Sequence, residues 1–302
     1  MPGNPLEIQQ SHEFSIPMPS PSATIQVLCL AYGNHAEVCD YVNRLLDGPD
    51  GDRLRIVVTD NTPGRDTTDL SWVGGPAARA HSSGRLVIVG DGVNHGYFGG
   101  FRRGLREAFA RWPDAADWTI LSNTDLSIRT AGWIRELDGL AVHNSIIAPK
   151  VISGLSGKNQ NPIYLSRPRP LKFLVLSWIF RFGFSTALYR LAALYKDRLI
   201  SGRLRIQKDP GEGQEIYGAH GSFICIPKSY FDRGGQLECK SFLYVEEICL
   251  AEEARRLGIP IRYSGLIEVV HDEHASTSFI PPPHIRRYLA EAHYLAYRIL
   301  QT

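Results

Sequence analysis

The chain has almost no net charge to offer a polyanion. Lysine and arginine number 33 against 31 aspartates and glutamates, a formal +2 over 302 residues. That balance excludes a nucleic-acid binder working by bulk electrostatics. Cysteine is scarce as well: Cys29, Cys39, Cys225, Cys239 and Cys249 are the only five. They form no CxxC pair and no zinc-ligand spacing, and their odd number predicts reduced thiols and a cytoplasmic setting over a disulfide framework. Residues 1–22 are rich in Pro and Ser, lack an apolar core, and read as a flexible tail, not a signal peptide. No internal repeat occurs. The densest apolar and aromatic stretch, 171–199, has Arg181 and Arg190 inside it, which argues against a membrane span.

What the chain does have is alternation. Thr24 to Tyr32 is a short apolar run of buried-strand character, closed by Gly33-Asn34 and followed by a helical pattern through Val38, Tyr41, Val42, Leu45 and Leu46. Arg53 to Thr59, Arg85 to Val89 and Trp118 to Leu121 are further strands, with helices expected from about Gly99 to Arg111 and from Trp133 to Leu140. This order predicts an α/β fold with a mostly parallel, Rossmann-like central sheet and flanking helices. Ligands in such sheets bind at the carboxyl ends of the strands. Those ends present Ala31 and Tyr32, Asp60 and Asn61, Asp91 and Asn94, and Asn123 to Asp125.

Several stretches carry residue types suited to chemistry. The loop Gly90 to Gly104 could let backbone amides approach a phosphate or a sugar, or it could be a tight strand-to-helix connection. Asp125 follows a buried strand, where a carboxylate can bind Mg²⁺ or Mn²⁺ or cap the next helix. Glu215 to Pro227 reads as one glycine-interrupted strand. Phe242 to Gly258 runs from an aromatic lead-in through adjacent Glu246 and Glu247 into a helix stopped by Gly258-Ile-Pro260, so the carboxylates sit at the positive end of the helix dipole. Ile261 to Ser264 and Leu266 to Val270 read as two strands, the second delivering His271 and His274. Between Arg167 and Lys208 the apolar stretch is interleaved with Arg and Lys and carries one acid, Asp197. It reads as a basic amphipathic segment for an anionic membrane surface, or as an internal helical pair or dimer face.

Taken together and in order, these motifs resemble the family 2 glycosyltransferases of the type A fold, in particular the bacterial rhamnosyltransferase-like branch. The resemblance spans roughly Ile25 to Ser278. It is carried by Val57-Val-Thr-Asp-Asn61, Asn94-His-Gly-Tyr-Phe-Gly-Gly-Phe-Arg-Arg-Gly104 and Leu121-Ser-Asn-Thr-Asp125. Further along, Gly218-Ala-His-Gly-Ser-Phe223, Phe231-Asp-Arg-Gly-Gly235, Tyr244-Val-Glu-Glu-Ile-Cys-Leu250 and Val270-His271 through Ser276 complete it. Two positions depart from the family pattern: Glu247 stands where an Asp is usual, and Cys249 replaces a second acid.

The resemblance implies an inverting transfer of a sugar from a nucleoside-diphosphate donor, dTDP-rhamnose or a UDP-sugar, to a hydroxyl of a glycan or lipid-linked acceptor in cell-surface polysaccharide synthesis. Residues 23–150 would take the donor through Ala31, Tyr32, Asp60, Asn61, Asn94, Gly96, Gly99 and Asn123. Residues 151–302, with a helical insertion at about 167–208 and a C-terminal helix, would take the acceptor through His220, Gly221 and Tyr244. Asp125 and His271 would hold Mg²⁺ or Mn²⁺. Glu247 would be the base, with Glu246 as its substitute. The enzyme would be cytoplasmic, peripheral on the inner face of the plasma membrane. A membrane-surface or glycan-binding module without turnover is a second reading. A nucleotidyltransferase is a third, disfavoured because Ala31-Tyr-Gly-Asn34 has no basic residue for a phosphate loop.

Overall fold

The computed structural model describes residues 24–140, 144–201, 209–273 and 281–302, with 196–201 as backbone only. The expected tail at 1–22, the basic side chains of Lys196, Arg198, Arg203, Arg205 and Lys208, and His274 lie outside the described residues. The first half follows the predicted alternation. Strands β1 (Ile25–Ala31), β2 (Leu54–Asp60), β3 (Leu86–Gly90) and β4 (Trp118–Ser122) are interleaved with helices α1 (His35–Asp47), α2 (Gly75–Ser82) and α3 (Tyr97–Arg111). β5 (Leu126–Ile128), α4 (Trp133–Leu140) and β6 (Ile146–Ser153) follow, then α5 (Pro170–Arg181) and α6 (Gly183–Ser201). The remainder is β7 (Glu215–Ile216), β8 (Phe223–Pro227), α7 (Lys228–Asp232), α8 (Glu246–Arg256), β9 (Ile261–His271) and α9 (Pro283–Ile299).

One sheet joins the strands in the order β3-β2-β1-β4-β8-β6-β9-β5, with β7 beside β9. β1, β2, β3 and β4 pair in parallel, as do β6 and β9, while β8 runs antiparallel to β4 and β6. Most paired residues therefore lie in parallel ladders, as the alternation predicts. The sheet is buried on both faces, so its strands alternate between two apolar layers. Val27, Cys29 and Ala31 of β1 pack with Ile56 and Val58 of β2 against α1 and α2. Leu28 and Val57, pointing the other way, pack with Phe98, Phe101 and Leu105 of α3 and with Leu250 and Ala254 of α8.

Three segments differ from the sequence reading. Glu215 to Pro227 is not one strand: the chain between β7 and β8 contains Gly218 and Gly221, and the two pieces pair with different partners, β9 and β4. The two short strands expected from Ile261 to Val270 are a single β9, in which the register against β6 jumps from Pro149↔Ser264 to Lys150↔Glu268. The extra residues lie around Gly265, where a bulge re-aims the strand. The thiol reading is also corrected. Cys239 and Cys249 are bonded, with Cα atoms 5.5 Å apart, because the loop before α8 folds back onto that helix; Cys29, Cys39 and Cys225 are free and buried.

Two glycines let the loop after β3 close on the rest of the molecule. Gly96 has φ 73°, and a Cβ there would overlap the Phe242 carbonyl. A Cβ on Gly100 would lie 2.7 Å from Asn61 Nδ2. Gly96→Ala combines a left-handed backbone with a backbone clash, so it should cost at least about 2 kcal/mol. A urea titration should show a lower midpoint with unchanged slope, and an unaltered midpoint would contradict this packing.

Candidate active site

The centre of the site is the N-terminus of α8. The two residues before it, Tyr244 (φ 72°) and Val245 (φ 60°), both adopt left-handed backbone. A β-branched residue seldom does so, and strain of this kind persists only where the surroundings enforce it. Here they do. The Tyr97 N–H donates to the Phe242 carbonyl at 3.1 Å, pinning the entry to the turn. Further back, the buried carboxylate of Glu253 accepts from the Gln236 and Glu238 N–H groups (2.9 and 3.1 Å) and from the Tyr230 hydroxyl (2.6 Å). The bond between Cys239 and Cys249 ties the same loop to the helix.

The turn delivers Glu246 and Glu247 into a cavity of about 510 Å³, whose walls include Tyr97, Asn123, Tyr164, Phe173, His220 and Gly221. Glu246 is buried, and its Oε1 has no hydrogen-bond partner. Burial, and then the charge of Glu247, push the Glu246 carboxyl up to about 8. Burial raises Glu247 as well. Two adjacent carboxylates in such a place do not both ionise near neutrality, so one carries a proton. Glu246, the one with the orphaned oxygen, is the natural holder. Glu247 is half-buried and lines the same cavity, its Oε1 3.6 Å from where a Cβ on Gly221 would stand.

Tyr97 lies within the Asn94–Gly104 motif, where the sequence assigns it no role, and it proves central. Its hydroxyl faces two acceptors, Asn123 Oδ1 and the Gly221 carbonyl, each at 2.8 Å. Burial and then the charges of Glu246, Glu247 and Asp125 raise its pKa far above that of an ordinary phenol, keeping it neutral. The aromatic at the start of a glycine-rich helix was the available signal.

The cation-binding candidates meet through the sheet. β5 pairs with β9, placing Leu126 opposite His271, and the Asp272 N–H donates to the Asp125 carbonyl at 2.9 Å. His271 Nε2 then lies 3.3 Å from Asp125 Oδ2. The other ring nitrogen, Nδ1, is 3.1 Å from Gln160 Oε1, and the Gln160 amide is turned by donating its Nε2–H to Glu273, whose second oxygen accepts from Ser153 Oγ at 2.6 Å. This relay orients the ring so that Nε2 faces the Asp125 carboxylate. Among the described residues no group of three or more His, Cys, Asp or Glu side chains forms a metal cluster. Asp125 and His271 together offer a carboxylate and an imidazole, and a hard cation there would take its other ligands from water and substrate oxygens. Sequence reasoning missed Gln160 and Glu273, which act only through this tertiary relay.

The remaining predicted residues divide by environment. Asp60 is buried against His35 Nε2 (2.7 Å) and Arg65 (3.4 Å), and the Thr62 N–H donates to it. Burial works to raise its pKa, but the hydrogen bonds from Thr62 and His35 prevail and hold it below the ordinary carboxylate value. Asn61 is buried and donates its Nδ2–H to the Gly96 carbonyl at 2.8 Å, while its backbone N–H donates to the Ala31 carbonyl. Tyr32 is exposed. Asn94 Oδ1 accepts the Gly96 N–H, and Gly99 lies in the first turn of α3. His220 is held by Ser222 Oγ at 2.8 Å, with its ring 5.5 Å from that of His271; burial, then the charge of His271, lower its pKa to about 4.

No family model matches the chain. Over 193 residues it is 27% identical to the low-salt glycan biosynthesis hexosyltransferase Agl10 of Haloferax volcanii, covering 62% of this chain and 52% of that protein. The chain thus spans about half the length of the curated relative it matches. Among solved structures it is similar to GalNAc-T7, crystallised with UDP, GalNAc and Mn²⁺, at a TM-score of 0.55 and 11% identity, covering 86% of this chain and 46% of that one. The chain is a homologue of a hexosyltransferase with a glycosyltransferase type A-like α/β fold. The rhamnosyltransferase branch is not distinguished by these similarities.

The buried carboxyl has a consequence for stability. The folded state holds the Glu246 proton up to about pH 8, whereas the unfolded chain releases it near 4.5. Stability is therefore lost as pH rises through that window. Glu246→Gln removes the penalty, so its melting temperature should match the wild type at about pH 4.5 and exceed it progressively toward about pH 8.5. A difference that does not grow with pH would show that Glu246 is not held protonated.

Proposed function

We propose that the chain transfers a sugar, with inversion, from a nucleoside-diphosphate donor to an acceptor hydroxyl bound in the cavity before α8. The observation that carries this reading is the placement of the Glu246–Glu247 pair, one carboxyl protonated and one open to the cavity, beside Asn123 and Tyr97. Residues 23–150 take the donor: Asp60 and Asn94 sit at strand exits on the nucleotide side, with Ala31, Asn61, Gly96 and Gly99 shaping that wall. Residues 151–302 take the acceptor through His220, Gly221 and Tyr244. Glu247 accepts the proton of the acceptor hydroxyl as its oxygen bonds to the anomeric carbon, while the bond from that carbon to the diphosphate breaks and the diphosphate leaves. Tyr97 fixes Asn123 and the Gly221 carbonyl against this movement. Asp125 and His271 hold Mg²⁺ or Mn²⁺, whose chemistry is to offset charge on the departing diphosphate. The UDP and Mn²⁺ bound in the GalNAc-T7 crystal structure make uridine diphosphate the first donor nucleotide to try, with dTDP next.

A thermal-shift panel of UDP, dTDP, GDP and CDP, each with and without Mn²⁺, tests the donor site. One nucleotide should raise the melting temperature, and only with the metal, because a ligand that binds the native state alone stabilises it. No shift with any nucleotide would favour a binding module without turnover.

Two variants separate the roles. Glu247→Gln should lower kcat by about 10²–10⁴-fold with little change in donor binding, and full turnover would remove the base assignment. Gln160→Leu should weaken Mn²⁺ binding about tenfold, read by electron paramagnetic resonance of free Mn²⁺ in the presence of nucleotide, through loss of the group that orients His271. Unchanged affinity would make the relay merely structural.

A further inference from the structure

The α5–α6 pair has an apolar surface that no element among the described residues covers. On α5, Phe173, Leu176 and Phe180 are buried against α9, so its inner face is satisfied. Leu171, Val175, Trp178 and Phe182 recur at i, i+4, i+7 and i+11 along the other side, and all are more than half exposed. α6 repeats that spacing with Phe184, Leu188, Leu191 and Tyr195, again all more than half exposed. Helices apolar on two faces belong in a core or against a second apolar phase. Neither is long and apolar enough to cross a membrane.

The charge around these stripes says which phase. From 167 to 195 the chain contains Arg167, Arg169, Lys172, Arg181 and Arg190 and no acidic residue. The Arg181 guanidinium lies 5.3 Å from the centre of the Trp178 ring, holding a cation beside the apolar stripe. A cation over an amphipathic ring suits the boundary between acyl chains and phosphate headgroups. A second copy fits poorly, since a two-fold contact would bring this acid-free segment against itself.

We propose that α5–α6 docks on an anionic lipid bilayer, lying in the interface plane. Phe173 lines the cavity before α8 from the inner side of the same helix. Docking therefore puts one wall of that cavity at the membrane, where the acyl part of a lipid-linked acceptor can remain while its hydroxyl enters. Only this last point rests on the sugar-transfer reading; docking needs neither donor nor acceptor.

The test is sedimentation of the full chain with vesicles of phosphatidylcholine alone or mixed with phosphatidylglycerol. Binding is expected to the mixed vesicles and to fall as salt rises from about 0.1 to about 1 M, where screening becomes short-ranged. Trp178→Ser combined with Phe184→Ser should weaken it at least about tenfold through lost apolar burial. Arg169→Glu combined with Arg181→Glu should weaken it by a similar factor. All four side chains are exposed, so both variants should keep the wild-type melting temperature. No binding to mixed vesicles, equal binding to both kinds, or binding untouched by either variant overturns the proposal. So does a dimer in solution that the apolar variant dissociates. Sugar transfer without vesicle binding would remove the docking and spare the proposed reaction, whereas vesicle binding without nucleotide binding would do the reverse.

Discussion

Everything at this site depends on holding two neighbouring carboxylates where water does not fully reach them. Left alone, such a pair would turn outward or unwind the start of its helix, because desolvating a charge costs more than a short turn can supply. The molecule prevents this from several directions at once. The glycine loop before α3 clamps the entry to the turn through Tyr97 N–H and the Phe242 carbonyl. Glu253, itself a buried carboxylate, holds the preceding loop by its backbone N–H groups. Behind them α9 packs Ala292 and Ala296 against Val245 and Ile248. The left-handed Tyr244 and Val245 are the local result: their strain is sustained by contacts from three separate parts of the chain.

Where structure is local, the sequence reads well. β1, β2, β4 and the helices α1, α3 and α4 come from short apolar runs or clear helical periodicity, and the observed boundaries fall within a residue or two of those expected. The positions of Asp125, Glu246 and Glu247 at strand or helix ends are likewise legible in the sequence. What escaped is what only tertiary pairing creates. β6 contains Pro149 and Lys150 amid its apolar residues and looks unremarkable until β9 and β8 flank it. The split of β7 from β8 follows from their having different neighbours, which no local pattern encodes. Gln160 and Glu273 are far from the acids in sequence and reach the site only because β6 and β9 run side by side. The pairing of Cys239 with Cys249 depends on a loop folding back onto the following helix, so an odd cysteine count was a poor guide to it.

The basic, aromatic segment shows a different limit. Its composition admitted a membrane surface, an internal helical pair or a dimer face. The structure shows why these readings overlapped: α5 has two apolar sides. One side packs with Ala290 and Leu289 of α9 as ordinary core, and the other faces outward with its flanking arginines. Hydropathy averaged along the segment mixes the two, whereas spacing around the helix separates them.

α8 and β9 follow one another directly, so the carboxylate pair and His271 occupy the two ends of a single helix–turn–strand unit. The strand exits proposed to meet the nucleotide belong to β1, β2 and β3, at the far end of the sheet order. On the proposed reaction, the groups for bond making and the contacts for choosing the donor are thus carried on separate stretches of polypeptide, fixed to a common scaffold. Divergence, natural or engineered, can exchange the loops after the first three strands and alter which nucleotide is welcomed while the acid–imidazole spacing stays as it is.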